Sequence, residues 1–245
     1  KVCVWIVQGV SKDDTQLPRN LNFVKKYPII SDMVDAPEVS SEGTKTVPKI
    51  YVTGFKPFRP HRENASELAV QSLNIRKVEQ ELTVRVHTDI LPVEYINAGT
   101  RILKSRKELS PKLTVHVGQG NVEKLKLESR AKNKGYILHD EVRHTPPGEI
   151  CLPGGEDVIE SSIDMNVVAE AMNKKTHLNL QCAASRDPGN FVCGFVYYLS
   201  LNEDKSSTAF IHVPSQDNSS IKDTTDALEE AIITLYQQLM QGNSL

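Results

Sequence analysis

From Lys49 onward, short apolar runs alternate with stretches whose apolar residues recur every three or four positions. Lys49-Ile50-Tyr51-Val52-Thr53 reads as a buried strand that ends in a Gly54-Phe55-Lys56-Pro57 turn. Asn64, with Glu67 three residues on, reads as a helix start whose inner face continues through Leu68, Ala69 and Ser72. Residues 82–93 are β-rich. A helix is expected over 94–109, with Tyr95, Ile96, Ile102 and Leu103 on its apolar side. Lys112 to Val117 is another strand, closed by Gly118-Gln119-Gly120, and further strands are expected over 178–184 and 209–213. The Pro188-Gly189 turn and Asn190 as N-cap open a helix with Val192, Phe195, Val196 and Leu199 toward the core. Leu228, Ile232, Leu235 and Leu239 mark a last helix over 225–240.

Strands alternating with helices of this length predict an α/β layered domain with a largely parallel central sheet. Two segments break the rhythm. Residues 1–48, rich in Ser, Asp, Pro and Lys, read as a loosely ordered N-terminal extension to a domain over 49–245. Residues 139–157 carry Pro146, Pro147, Gly148, Pro153, Gly154 and Gly155, and a loop of that length reads as a lid or a binding loop.

Composition narrows the function classes. With 245 residues, 39% of them hydrophobic, the chain buries a core without needing disulfides or a metal to fold. Its 29 basic and 31 acidic side chains leave a net charge of −2, which argues against a dedicated nucleic-acid or anionic-membrane binder. No apolar run approaches the roughly 18–20 residues of a membrane span. The six apolar residues Val2 to Val7 are too few for a signal-peptide core. The four cysteines form no CxxC pair, which points to a reduced, cytoplasmic protein. The sequons at Asn64 and Asn218 are triplets that occur often by chance.

Cys193 falls in the first turn of its helix, off the apolar stripe. There the helix dipole and free N–H groups favour a thiolate and can hold an oxyanion. A small buried helix cysteine is the competing reading. A thiolate hydrolase also needs a base and a group to orient it. His212, near the carboxyl end of the Thr208 to Val213 strand, stands where ligands bind in open α/β sheets, and His116 has similar surroundings. Glu123, Glu128, Glu141 and Glu156 are all candidate carboxylates. His139, Asp140, Glu141, His144 and Cys151 cluster around the Pro/Gly loop but match no compact zinc motif, so no metal site is expected. Neither GxGxxG nor GxxxxGK[ST] occurs, which disfavours a nucleotide-binding module.

Five blocks in order resemble pyroglutamyl-peptidase I. They are Thr53 to Phe58 with Asn64-Ala65-Ser66; Pro92-Val93-Glu94-Tyr95; Val115-His116-Val117-Gly118; Leu127-Glu128 leading to Asn133-Lys134-Gly135-Tyr136; and Gly189 to Cys193 with Tyr197-Tyr198, followed by Phe210 to Pro214. The resemblance implies a cysteine peptidase on one α/β/α sandwich, with no metal or organic cofactor. Its substrates would be peptides with an N-terminal pyroglutamate, without nucleic acid or membrane, and a homo-oligomer is left open. By motif, Cys193 resembles the nucleophile, His212 the general base and Glu128 the orienting carboxylate; only the resemblance picks out Glu128. Phe55 and Phe58 resemble the aromatic wall of the lactam pocket, completed by Phe191, with Asn64 and Gln119 as further substrate-binding residues. Lys56, Arg59 and Pro60 replace the family's glycines around the first turn, and Gly194 stands where relatives carry Asp or Asn. Two alternatives remain: a catalytically weak member that binds pyroglutamyl peptides, and a cysteine hydrolase of another amide.

Overall fold

A computed structural model of the protein describes residues 46–242. The expected extension up to residue 45, and Cys3 with it, lies outside the described residues. In chain order the elements are β1 (Lys49–Phe55), α1 (Ala65–Gln71), α2 (Ile75–Leu82), β2 (Arg85–Leu91), α3 (Tyr95–Leu109), β3 (Leu113–Gln119) and β4 (Leu125–Glu128). There follow β5 (Arg130–Lys132), β6 (Val158–Glu160), α4 (Met165–Asn173), β7 (Cys182–Ser185), α5 (Val192–Glu203), β8 (Thr208–Val213) and α6 (Ile221–Gly242). Six strands form the central sheet in the order β2-β1-β3-β8-β4-β7. The first four run parallel. β4 is antiparallel to β8 and parallel to β7, and β5 and β6 form a separate antiparallel pair.

Alternation along the strands sorts the side chains into two layers. Ile50, Val52, Val115, Val117, Leu125, Leu127, Ala209 and Ile211 pack with Ala69 of α1, Val78 of α2, Val168 of α4 and Ile232 of α6. On the opposite face Phe55 and Phe210 pack with Ile102 of α3, Phe195 of α5 and Ile159 of β6. This is an α/β/α sandwich. The buried polar strand residues Thr53, Thr114, His116, Glu128, Thr208 and His212 occupy the alternate positions, so all of them look into the second layer.

Several local expectations change. The strand expected over 178–184 contracts to β7, because the Asn173 side chain accepts from the Cys182 N–H and donates to its carbonyl, each at 2.9 Å. α5 starts at Val192 with Phe191 as its N-cap and no side-chain cap, one residue later than Asn190 as cap would place it. Asn190 instead lies against Gly135, where a Cβ would come within 2.9 Å of its amide nitrogen. α5 is also buried all round from Gly194 to Leu201 rather than along one stripe, since α3 and the β5–β6 pair cover what the sheet leaves open.

The turn after β1 is fixed by its polar groups. Asn64 Oδ1 accepts from the Ser66 N–H at 2.9 Å, and its amide donates to the Lys56 carbonyl at 3.1 Å. Gln119, at the end of β3, accepts from the Ala65 N–H at 2.7 Å. A Cβ on Gly54 would fall 2.7 Å from the Ser66 carbonyl oxygen, so only a glycine lets α1 start this close to β1. Asn64 is 1% exposed, which buries its sequon. Loss of an N-cap side chain costs about 1 kcal/mol. Asn64→Ala should therefore lower the unfolding free energy in urea titration by at least that much, and Asn64→Asp, which keeps the acceptor, by less.

Candidate active site

The antiparallel register of β4 on β8 sets Lys126 opposite His212 and Glu128 opposite Phe210. Glu128 and His212 are then diagonal neighbours on one face, a separation that long side chains span. The Glu128 Oε1 accepts from His212 Nδ1 at 2.9 Å, and its Oε2 accepts from the Asp187 N–H at 3.1 Å. The Tyr197 hydroxyl donates to the Glu128 carbonyl at 2.7 Å, tying β4 to α5. With Nδ1 engaged, the other ring nitrogen of His212 is left for Cys193, which is close enough to raise the pKa of the imidazole.

Cys193 is the second residue of α5 and is half-buried. No side chain caps that helix, so its first-turn N–H groups stay available beside the thiol. The sulfur rests on the floor of the sheet at Gly118, which pairs in register with His212. A Cβ on Gly118 would lie 2.8 Å from Cys193 Sγ and 2.9 Å from Phe210 Cζ. Gly120 gives the same clearance to the imidazole, where a Cβ would meet ring atoms at 3.3 Å. The Phe210 ring packs against the His212 ring at 4.8 Å.

Burial pulls the His212 pKa down, but hydrogen bonds to Cys193 and Glu128, and the charges of both, outweigh it and raise it to about 9. His116 is the opposite case. Its two ring nitrogens bond Thr53 Oγ1 and Ser200 Oγ, each at 2.7 Å, and burial with the nearby Arg106 charge lowers its pKa to about 3. It is a neutral strut joining β1, β3 and α5. Among the other candidate carboxylates, Glu123 and Glu156 are exposed, and Glu141 engages Arg59. No three His, Cys, Asp or Glu side chains among the described residues group to hold a metal.

The aromatic residues gather beside the thiol. Phe58 and Phe191 have ring centroids 6.2 Å apart, Tyr95 packs edge-on to Phe191 at 5.8 Å, and Phe55 is buried in the same cluster at 2% exposure. Asn64 and Gln119 hold the start of α1. Tyr95 and Gly118 were not singled out by the sequence reading. A glycine inside an apolar strand marks a close approach, and that signal was present for Gly118.

The family model for pyroglutamyl peptidases matches residues 48–236. The chain belongs to the pyroglutamyl peptidase family. Human pyroglutamyl-peptidase 1 is 37% identical over 166 residues, 67% of this chain and 78% of that protein, and the mouse protein matches equally. Pyroglutamyl peptidase I of Bacillus amyloliquefaciens shares the fold at a TM-score of 0.68 and 24% identity, covering 78% of this chain and 97% of that one. Pyrrolidone carboxyl peptidase from Thermococcus litoralis superposes at a TM-score of 0.71 and 17% identity, covering 80% and 96%.

Two outcomes follow for the pyroglutamyl peptidase site. Burial pushes the Cys151 thiol well up and the Cys182 thiol up to about 12, while Cys193 is more open. Iodoacetamide at neutral pH should therefore label Cys193 before either, as mass mapping will show; labelling of Cys151 first would move the nucleophile elsewhere. The second concerns pH. A reaction that needs the proton on His212 loses rate as pH rises through about 9. Because the Glu128 carboxylate helps hold that proton, Glu128→Gln should shift the alkaline limb of kcat/KM to lower pH.

Proposed function

We propose that the protein hydrolyses the amide bond that follows an N-terminal pyroglutamyl residue, with Cys193 as nucleophile, His212 as general base and acid, and Glu128 as the orienting carboxylate. The observation that carries the reading is the hydrogen bond from His212 to Glu128 with Cys193 beside the same imidazole at an uncapped helix start. Membership of the pyroglutamyl peptidase family supplies the substrate class.

A pyroglutamyl residue is a neutral lactam without an α-amino charge, so a site built to clamp an ammonium does not recognise it. An apolar wall with a few backbone hydrogen bonds suits it, and Phe55, Phe58 and Phe191 provide that wall. Asn64 and Gln119 contribute by fixing the turn on which Phe58 stands. His212 takes the thiol proton, and Cys193 attacks the exocyclic carbonyl to give a tetrahedral intermediate. The backbone N–H of Cys193 faces the developing oxyanion. His212 then protonates the leaving amine, a thioester remains, and water activated by the same imidazole hydrolyses it. Glu128 keeps the proton on Nδ1 and offsets the imidazolium charge. The free state of the three described cysteines supports a reducing, cytoplasmic setting.

The deciding assay is cleavage of a fluorogenic pyroglutamyl amide beside its prolyl analogue. Turnover of the first and not the second is expected, because buried polar groups left unpaired by the wrong ring penalise it strongly. Binding without turnover would favour a weak, peptide-binding member, and turnover of another amide alone a different hydrolase. Within an active enzyme, Cys193→Ala and His212→Ala should be similarly damaging, since members of a catalytic unit are not additive. Glu128→Gln should retain a measurable remainder, down by about a hundredfold or more in kcat with KM little changed. His116→Ala should act through stability, seen in a lowered melting temperature. An essential His116 with a dispensable His212 would break the assignment.

A further inference from the structure

Beyond the aromatic wall lies a cleft of about 500 Å³, lined by Arg59, His139, Asp140, Glu141, Val142 and Arg143. We propose that this cleft receives the residue following pyroglutamate and that Arg143 favours a carboxylate on the leaving peptide. The inference rests on the peptidase reading and adds a preference that the triad itself does not set.

The residues that line the cleft are tied to the wall at two points. Arg59 directly follows Phe58, and its N–H donates to Glu141 Oε1 at 3.0 Å across the opening. Tyr95, packed on Phe191, donates its hydroxyl to the Leu138 carbonyl and its N–H to Asp140 Oδ2, each at 3.0 Å. The loop that forms the far side is thereby anchored to the residue that backs the wall. With the lactam against Phe58 and Phe191, the peptide that leaves Cys193 would pass Arg59 and the loop that Tyr95 anchors.

The two carboxylates of the cleft are already engaged, whereas one arginine is left to solvent. The Asp140 carboxylate is 5% exposed and fully engaged: Oδ2 takes the Tyr95 N–H, and Oδ1 takes the N–H groups of Val142 at 3.1 Å and His144 at 2.8 Å. Glu141 is occupied by Arg59, whose Nε lies 3.6 Å from Oε2 while the guanidinium side chain stays 89% exposed. Arg143 is exposed and has no ion-pair partner among the described residues. Its backbone is held at φ 63° at the tip of the loop, with its N–H on the Asp140 carbonyl at 2.9 Å. The loop thus presents Arg143 on a fixed base. A guanidinium held this way prefers a carboxylate, to which it can offer two N–H groups at once.

The test compares kcat/KM for amidated pyroglutamyl-Glu, pyroglutamyl-Gln and pyroglutamyl-Lys, and for pyroglutamyl-Ala with a free and an amidated terminus. An exposed ion pair is worth up to about fivefold, so Glu should exceed Lys by about that factor at low salt and by less at high salt. The Glu-to-Gln ratio reports a side-chain carboxylate, and the free-to-amidated ratio reports a terminal one. Arg143→Lys should retain the preference in part, and Arg143→Glu should bring it to parity or reverse it. A wild-type enzyme that turns over the aryl amide yet treats Glu, Gln and Lys alike, and both termini alike, overturns the subsite while the peptidase reading stands. A preference unmoved by Arg143→Glu overturns it as well. A protein that cleaves no pyroglutamyl substrate removes both readings together.

Discussion

One reversed strand governs the chemistry of this sheet. β4 lies antiparallel to β8, and the pairing of Glu128 with Phe210 sets the carboxylate diagonally across from His212. A slip of one residue would turn Glu128 to the opposite, hydrocarbon layer, where Leu125 and Leu127 now point. The register is therefore held from both sides. Leu125 and Leu127 anchor it in the outer core, and Tyr197 binds the Glu128 backbone from α5. The same α5 carries Cys193, so the hydroxyl that fixes the carboxylate strand belongs to the element that carries the thiol.

Close packing, more than polarity, decides how near the thiol comes to the imidazole. Gly118 removes the side chain that would otherwise stand between α5 and the sheet, and Gly120 does so beside the ring. Gly194 extends the pattern, since a Cβ there would fall 2.1 Å from the Gly189 carbonyl. The turn before α5 can fold over the helix start because Gly194 has no side chain. Here the close approach accompanies a helix start that no side chain caps.

Much of the scaffold was legible because strong periodicity and burial coincide. β1, β3, β8, α3 and α6 are long, apolar and bounded by glycine, proline or polar turns, and they form close to where the pattern put them. α2 and α4 went unread. α2 buries only Val78 among its eight residues, and α4 follows a proline- and glycine-rich stretch whose composition reads as loop. β4 has only four residues, so its alternation is too short to separate from coil. That is also why the carboxylate stayed open to residue-level reasoning: Glu128 acquires its partner through a pairing made 84 positions away in the chain. Cys193 and His212 were visible because each sits at an element end with local chemical meaning, the first turn of a helix and the carboxyl end of a strand. The uncapped start of α5 was not visible, since Asn190 is a good cap by type and its place against Gly135 comes from a distant part of the chain.

The two buried histidines respond to acid in opposite ways, and this bears on where the molecule survives. His212 binds its proton more tightly in the folded state, so acid leaves that part of the structure intact. His116 has its folded pKa lowered to about 3 from the ordinary 6.5, while the unfolded chain takes up the proton near neutrality. Between those two values the unfolded state binds more protons, and stability falls by about 1.4 kcal/mol for each unit of acidification. Because His116 braces β1, β3 and α5 together, that loss is felt at the junction of the sheet with the nucleophile helix. A mildly acidic compartment would thus erode the scaffold at a neutral imidazole buried where the sheet meets the nucleophile helix.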